Sequence, residues 1–389
     1  MDKYKFSRRT AWPRETNALD RILDQLRARE ARVLDLTASN PTGCGFVYPE
    51  GLLTALNSPE NLRYRPDACG MAEARQALAA YYARQNLPVS VDHIILTAGT
   101  SEAYSFLMRL LADPAEKILI PQPSYPLFQF LLELNDIHFD YYPLNYDGQW
   151  HVDMQGLKRL IDDRTRAVVL VNPNNPTGSY INHDELNALN DICRKHQLSI
   201  ISDEVFFEYA LQPAGAVSCI GNQPVLTFVL GGLSKTLGLP QMKCSWILGS
   251  GPEAALLEAF ARLEIIADTY LSVNTPVQNA LSSWLAQASA IQGQIMARVR
   301  ENHKWLSAHL NKNTQLLSLQ GGWYATLRIP AVKSEEEWVL EFLKEDHVLV
   351  HPGYFFDFTG EAFIVLSLLP EPAVFQEAVV CIMKRLGKI

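Results

Sequence analysis

The chain has 389 residues, 48% of them hydrophobic and 20% charged, which is enough apolar material for one large core or two packed domains. Its 42 acidic side chains against 34 basic ones give a formal net charge of -8, and no basic run or stripe offers itself to a phosphate backbone. That balance argues against nucleic acid as a partner, and the lack of any apolar stretch approaching a membrane span argues against a membrane.

The first residues, MDKYKFSRRTAWPRET, are charged where a secretory signal needs an apolar core, so a cytoplasmic protein is expected. The six cysteines form no CxxC pair and have no histidine at metal spacing. In a chain this large they read as reduced, buried thiols, and no metal site is expected.

A helix is predicted near Asn17 to Arg29, where Leu19, Ile22, Leu23 and Leu26 recur on one face. From about Asp92 onward, short apolar runs alternate with helix-length segments: HIILT, KILIP, HFDYYPL, RAVVLV, LSIISD, VLTFVL and CSWILG. Runs of this length bounded by turn residues predict an α/β fold with a mostly parallel seven-stranded sheet between helices. The link between VLTFVL and CSWILG is too short for a helical crossover, which makes that pair antiparallel. The stretch TPVQNALSSWLAQASAIQGQIMARVRENHKWLSAHLN reads as one long helix or two in succession. Beyond it, GGWYATLRI, a helix over SEEEWVLEFLKED, VLVHPG, AFIVLSLL and a last helix form a smaller α+β unit. The expected division is a large domain over 45–285 and a small domain built from both chain ends, 1–44 and 286–389.

In an open α/β sheet, ligands bind beyond the carboxyl ends of the strands. After HIILT the chain continues through Gly99, Thr100 and Ser101 into a helix, a turn that offers donors and a positive dipole end to a phosphate, or simply caps the helix. Tyr125 follows KILIP, and Asn175 lies in the turn NPNNPTG after RAVVLV. Asp203 ends the buried run LSIISD, where a carboxylate is costly unless it meets a cation or strong donors. Lys235 follows VLTFVL in a loop of small residues, and a second amine, Lys243, comes eight positions later.

Taken together, YRPDACGMAEARQALAAYY, LTAGTSEA, PQPSYPLF, NPNNPTG, SDEVF, LSKTLGLPQMK and HPGYFFDF resemble, in order and spacing, the class I/II aminotransferases dependent on pyridoxal 5'-phosphate. The resemblance runs from about Tyr64 to Phe358 and implies the aspartate aminotransferase fold, called fold type I. It implies that Lys235 is the Schiff-base lysine, that Asp203 pairs with the cofactor's pyridinium nitrogen, and that Asn175 donates to its phenolic oxygen. Tyr125 would stack on the ring, while Gly99, Thr100 and Ser101, with Lys243, would hold the phosphate. Tyr64 would reach the neighbouring subunit's phosphate, which implies a homodimer with shared active sites. Asn40 and Asn175 would touch the substrate.

Three positions depart from that pattern. Val365 stands where the family has an arginine that forks the substrate's α-carboxylate, a contact an aliphatic residue cannot make; Arg328 is the candidate stand-in. Phe206 stands where a tyrosine is common, and Gly232 where a serine or threonine often meets the phosphate. Competing motifs fail: GGLSKT has Ser234 where a phosphate-binding P-loop needs glycine, and no GxGxxG opens the sheet. The expected activity is transfer of an amino group between an amino acid or amine and an oxo acid. The alternative is a lyase or decarboxylase of the same fold. A ligand-sensing regulator would need a DNA-binding domain that the first forty or so residues do not supply.

Overall fold

The computed structural model describes residues 4–212, 215–271, 273–360 and 362–387. The first helix, Ala18–Ala28, is capped by Asn17, whose side chain accepts from the Asp20 amide, and it buries Leu19 and Leu26. The chain then forms β1 (Leu34–Asp35), β2 (Ile94–Thr97), β3 (Lys117–Gln122), β4 (His138–Tyr146), β5 (Trp150–Val152), β6 (Thr165–Val171), β7 (Ser199–Asp203), β8 (Thr227–Gly232) and β9 (Ser245–Ser250).

All seven predicted runs are strands of one sheet, but that sheet has eight, in the order β2-β9-β8-β7-β6-β3-β4-β5. The additional strand is β5, which turns back antiparallel on β4 with Tyr146 opposite Trp150, through a turn in which Gly148 has φ +111°. Three residues are too few to carry a periodic signal, so the strand has no signature of its own. The predicted antiparallel pair is β8 with β9, and β2 also runs antiparallel to β9; β3, β4, β6, β7 and β8 form the parallel centre.

Alternation along the strands divides the interior in two. Val168, Leu170, Ile200 and Val229 point into one core, whereas Ala167, Val169, Ile201 and Phe228 point into the other. Helix Thr100–Leu111 and helix Glu253–Tyr270 cover the second face. Each fully buried aliphatic or aromatic residue contributes about 1.5–3 kcal/mol to this packing.

The long apolar stretch is two helices, Thr275–Ala286 and Ala288–Ala308, separated at Gln287. They lead to β10 (Gln315–Leu316), β11 (Tyr324–Arg328), β12 (Val348–Leu349), β13 (His351–Pro352) and β14 (Phe363–Ser367). Four of these form an antiparallel sheet in the order β10-β11-β14-β13, while β12 pairs in parallel with β1. Helix Glu335–Asp346 starts in a reciprocal cap between Ser334 and Glu337, and helix Pro372–Leu386 closes the unit. The N-terminal segment is stitched to the C-terminal one: the Leu34 amide donates to the His347 carbonyl at 2.8 Å, and the Ser367 amide to the Leu36 carbonyl at 2.7 Å. Among the described residues no helix is long and apolar enough to cross a membrane, and no cluster of three metal-ligating side chains occurs. All six cysteines are free; four are buried, and Cys69 and Cys381 are partly exposed.

Candidate active site

Because β2, β3, β6, β7 and β8 point the same way, Thr97, Gln122, Val171, Asp203 and Gly232 end on one edge of the sheet. Strand β9 begins at that edge, with Ser245 opposite both Gly232 and Thr97. A pocket opens there. Thr100, Tyr125, Asn175, Asp203 and Lys235 line it with the apolar Phe128, Val171, Val205 and Phe206; Tyr324 enters from β11 and Ser39 from the N-terminal segment.

Lys235 sits on a single-turn helix, Leu233–Thr236, fixed by donors from three other parts of the chain. The Tyr209 hydroxyl donates to the Lys235 carbonyl at 2.6 Å, the Gln292 side chain to the Thr236 carbonyl at 3.0 Å, and the Tyr48 hydroxyl to the Gly238 carbonyl at 2.5 Å. The amine lies over the Phe206 ring at 5.1 Å and the Trp323 ring at 4.8 Å. Burial pushes its pKa down to about 8, partly opposed by the Asp203 charge. It is therefore a lysine able to give up its proton near neutral pH.

Asp203 accepts from the Val205 amide at 3.2 Å and the Tyr104 hydroxyl at 3.0 Å. Desolvation pushes its carboxyl up to about 6 in spite of these two donors and the Lys235 amine. The site thus keeps a carboxylate that its own surroundings do not fully offset. Asn175 is 8% exposed, and its amide oxygen is buried with no hydrogen-bond partner; a buried polar atom left in that condition calls for a ligand or water.

Gly99 precedes helix Thr100–Leu111, whose first residue faces the pocket, whereas Ser101 is exposed. The Lys243 amine stands 3.5 Å from where a Cβ at Gly99 would be, so the second amine meets the Gly99 turn from across the sheet. Gly232 is explained by space: a Cβ there would lie 2.3 Å from Ser245 Oγ. The hydroxyl missing from position 232 is present on the adjacent strand.

Other expected site residues lie elsewhere. Asn40 does not line the pocket; its exposed side chain caps a short turn, accepting from the Thr42 amide at 3.1 Å and the Thr42 hydroxyl at 2.8 Å, and Ser39 reaches the pocket instead. Tyr64 is 71% exposed and outside the pocket. Val365 has no exposed surface and lies between Thr326 and His351 in the small sheet. Arg328, the candidate stand-in, does not line the pocket: it is exposed, its guanidinium lies over the Phe363 ring at 5.4 Å, and it donates to Gln315. Sequence reasoning passed over Ser39, Tyr104, Tyr209, Trp323 and Tyr324. Trp323 and Tyr324 lie in GGWYATLRI, Tyr104 follows LTAGTSEA and Ser39 precedes Asn40, but none has a local signal of its own.

The model of the family "Aminotransferase class I and II" matches residues 17–378. The chain belongs to that family. This aminotransferase is 29% identical over 351 residues to the glutamate-pyruvate aminotransferase AlaA of Escherichia coli K12, covering 87% of this chain and 86% of the relative. It is 27% identical over 360 residues to an alanine aminotransferase of Mycobacterium bovis, covering 89% and 83%. The aminotransferase also shares its fold with the alanine aminotransferase from Pyrococcus furiosus, with a TM-score of 0.87 at 24% identity over 99% and 100% of the two chains. The aspartate aminotransferase of Thermotoga maritima superposes with a TM-score of 0.84 at 20% identity, over 98% and 100%.

Proposed function

We propose that the pocket holds pyridoxal 5'-phosphate on Lys235 and passes an amino group from an amino donor to an oxo-acid acceptor in two half-reactions. The observation that carries this reading is the grouping of three unsatisfied features in one pocket: an amine with a pKa near 8, a desolvated carboxylate at Asp203 and the orphaned amide of Asn175. When bound, the cofactor supplies a ring that accepts the electrons of a bond broken at the substrate's α-carbon.

The chain's own residues supply the rest. Asp203 would face the ring nitrogen and keep it protonated, which offsets the cost of burying the carboxylate. Asn175 would donate to the phenolic oxygen, its amide turned so that nitrogen faces the ring. Tyr125 would stack on the ring, and the Gly99, Thr100 and Ser101 turn with Lys243 would hold the phosphate. Lys243 supplies charge there without an arginine's fork. Lys235, once free, would as a neutral amine take the proton from the substrate's α-carbon and hold it for return.

Exposed Val47, Leu53, Leu62 and Tyr64 support a homodimer in which Tyr64 reaches the neighbouring copy's site. The break at Gln287 and the pairing of β1 with β12 support the division into 45–285 and 1–44 with 286–389. Free cysteines support a reducing, cytoplasmic setting. The named relatives support an alanine or glutamate donor with pyruvate among the acceptors.

Protein purified with the cofactor is expected to be yellow, to lose that absorbance with an amino donor and to regain it with an oxo acid, while the pyridoxamine form accumulates in between. Release of pyruvate or carbon dioxide without that form would replace this reading with a lyase or decarboxylase. A colourless protein that ignores added cofactor would end it.

A further inference from the structure

Trp323 is fully buried, yet its indole nitrogen has no hydrogen-bond partner. A buried indole ordinarily finds an acceptor, so this ring is placed for its face and not for its polar edge. That face meets the Lys235 amine at 4.8 Å, and the Phe206 ring, 5.1 Å from Trp323 and inclined at 77° to it, meets the same amine at 5.1 Å. The two rings make a corner that holds the cation.

The ring's position is imposed from a distance. The backbone just before it is tied to the segment after Asp203: the Gly322 amide donates to the Tyr209 carbonyl at 2.9 Å, and the Leu211 amide to the Gln320 carbonyl at 2.8 Å. Trp323 also packs edge-on against Tyr209, with ring centroids 5.0 Å apart, and Tyr209 in turn holds the Lys235 carbonyl. One aromatic cluster therefore grips the lysine at its main chain and at its amine.

We propose that Trp323 is a positioning residue for Lys235: with Phe206 it holds the lysine's amine as an ammonium ion in the pocket before cofactor and substrate enter. The inference rests on the reading of Lys235 as the attachment residue. A ring face stabilises an ammonium and not the neutral amine, so the corner partly opposes the desolvation that favours the neutral form. The other titratable groups in the pocket are Asp203, whose charge also favours the ammonium, and the phenols of Tyr125 and Tyr324, which burial pushes up and keeps neutral.

The test follows covalent capture of pyridoxal phosphate by cofactor-free protein, read as the rise of visible absorbance from about pH 6 to 10, a window around the lysine's pKa of about 8. Only the neutral amine attacks, so the midpoint of the rate profile reports Lys235. Trp323→Leu, which removes one ring face, is expected to move that midpoint towards acid by about one pH unit, equivalent to about 1.4 kcal/mol. Trp323→Phe, which keeps a face, should stay close to the wild-type midpoint. Phe206→Leu removes the other face at a smaller volume change, so it tests the same corner if Trp323→Leu does not fold, and its midpoint should move the same way. Midpoints that stay with the wild type, or move towards alkali, overturn the inference, because lost packing alone admits water and favours the ammonium. Wild-type protein that captures no cofactor at any pH would instead overturn the reading of Lys235 itself.

Discussion

The sheet edge that carries Lys235 and the small sheet that carries Val365 answer different questions. At the edge, polar groups are placed in an apolar pocket with their needs unmet: Asp203 is desolvated, Asn175 has an orphaned oxygen and Lys235 has lost part of its affinity for a proton. In the small sheet, Val365 is sealed and Arg328 faces solvent over Phe363. Unmet polar groups announce a ligand, whereas a satisfied apolar strand announces none. The residues proposed for the chemistry thus lie at the edge of the large sheet, and position 365 offers a substrate no cation.

The largest effect is expected at Lys235. Lys235→Ala should lower turnover by about 10⁴-fold or more, the upper range for a proton-transferring group, while a dialysable cofactor still binds; equilibrium dialysis and steady-state kinetics check both. Asp203→Asn should come next. Removing the charged partner of a buried pair costs about 3–5 kcal/mol, so cofactor affinity should fall more than about 100-fold in a fluorescence titration.

Val365→Arg probes the other region. Its side chain would enter a fully buried position between Thr326 and His351, and the expected result is about 3 kcal/mol of lost stability in urea unfolding without tighter binding of α-amino acids. Tighter binding of amino acids but not of the matching amines would show that this strand still faces the substrate's acid end. The smallest effect belongs to Arg328→Ala, which should leave KM within about twofold, as for other exposed substitutions.

Much of the large sheet was legible because most of its strands are short apolar runs and the residues proposed for the site follow them within a few positions. Strand β5 was not, because three residues cannot display a period, and the two-residue β1, β12 and β13 exist only through their partners. Asn40 and Ser39 show a finer limit. Adjacent residues in an irregular segment point apart, and only the cap made to Thr42 decides which of them faces the pocket. Gly232 could be read only as a missing hydroxyl until Ser245 was seen filling its space from the neighbouring strand. Trp323 lay in a recognised stretch, but what brings it to Lys235 is the stitching of residues 320–322 to 209–211, across more than a hundred positions of chain.

The hydrogen bonds joining Leu34 and Leu36 to the last strands have a consequence for how the protein is made. Ser39 reaches the pocket on a segment held by His347, Leu349 and Ser367, with the Ser367 hydroxyl also donating to the Ala38 carbonyl at 2.5 Å. Domains generally form in the order in which they leave the ribosome, but the Ser367 anchor is made 329 positions after Ala38. The segment bearing Ser39 must therefore wait for strands made much later, and a nascent chain already carrying Lys235, Asp203 and Asn175 still has an unfinished wall. A truncation just before Phe363 would remove no residue proposed for the chemistry and would nevertheless take away both hydrogen bonds from Ser367 to the segment bearing Ser39, leaving His347 and Leu349 to hold it.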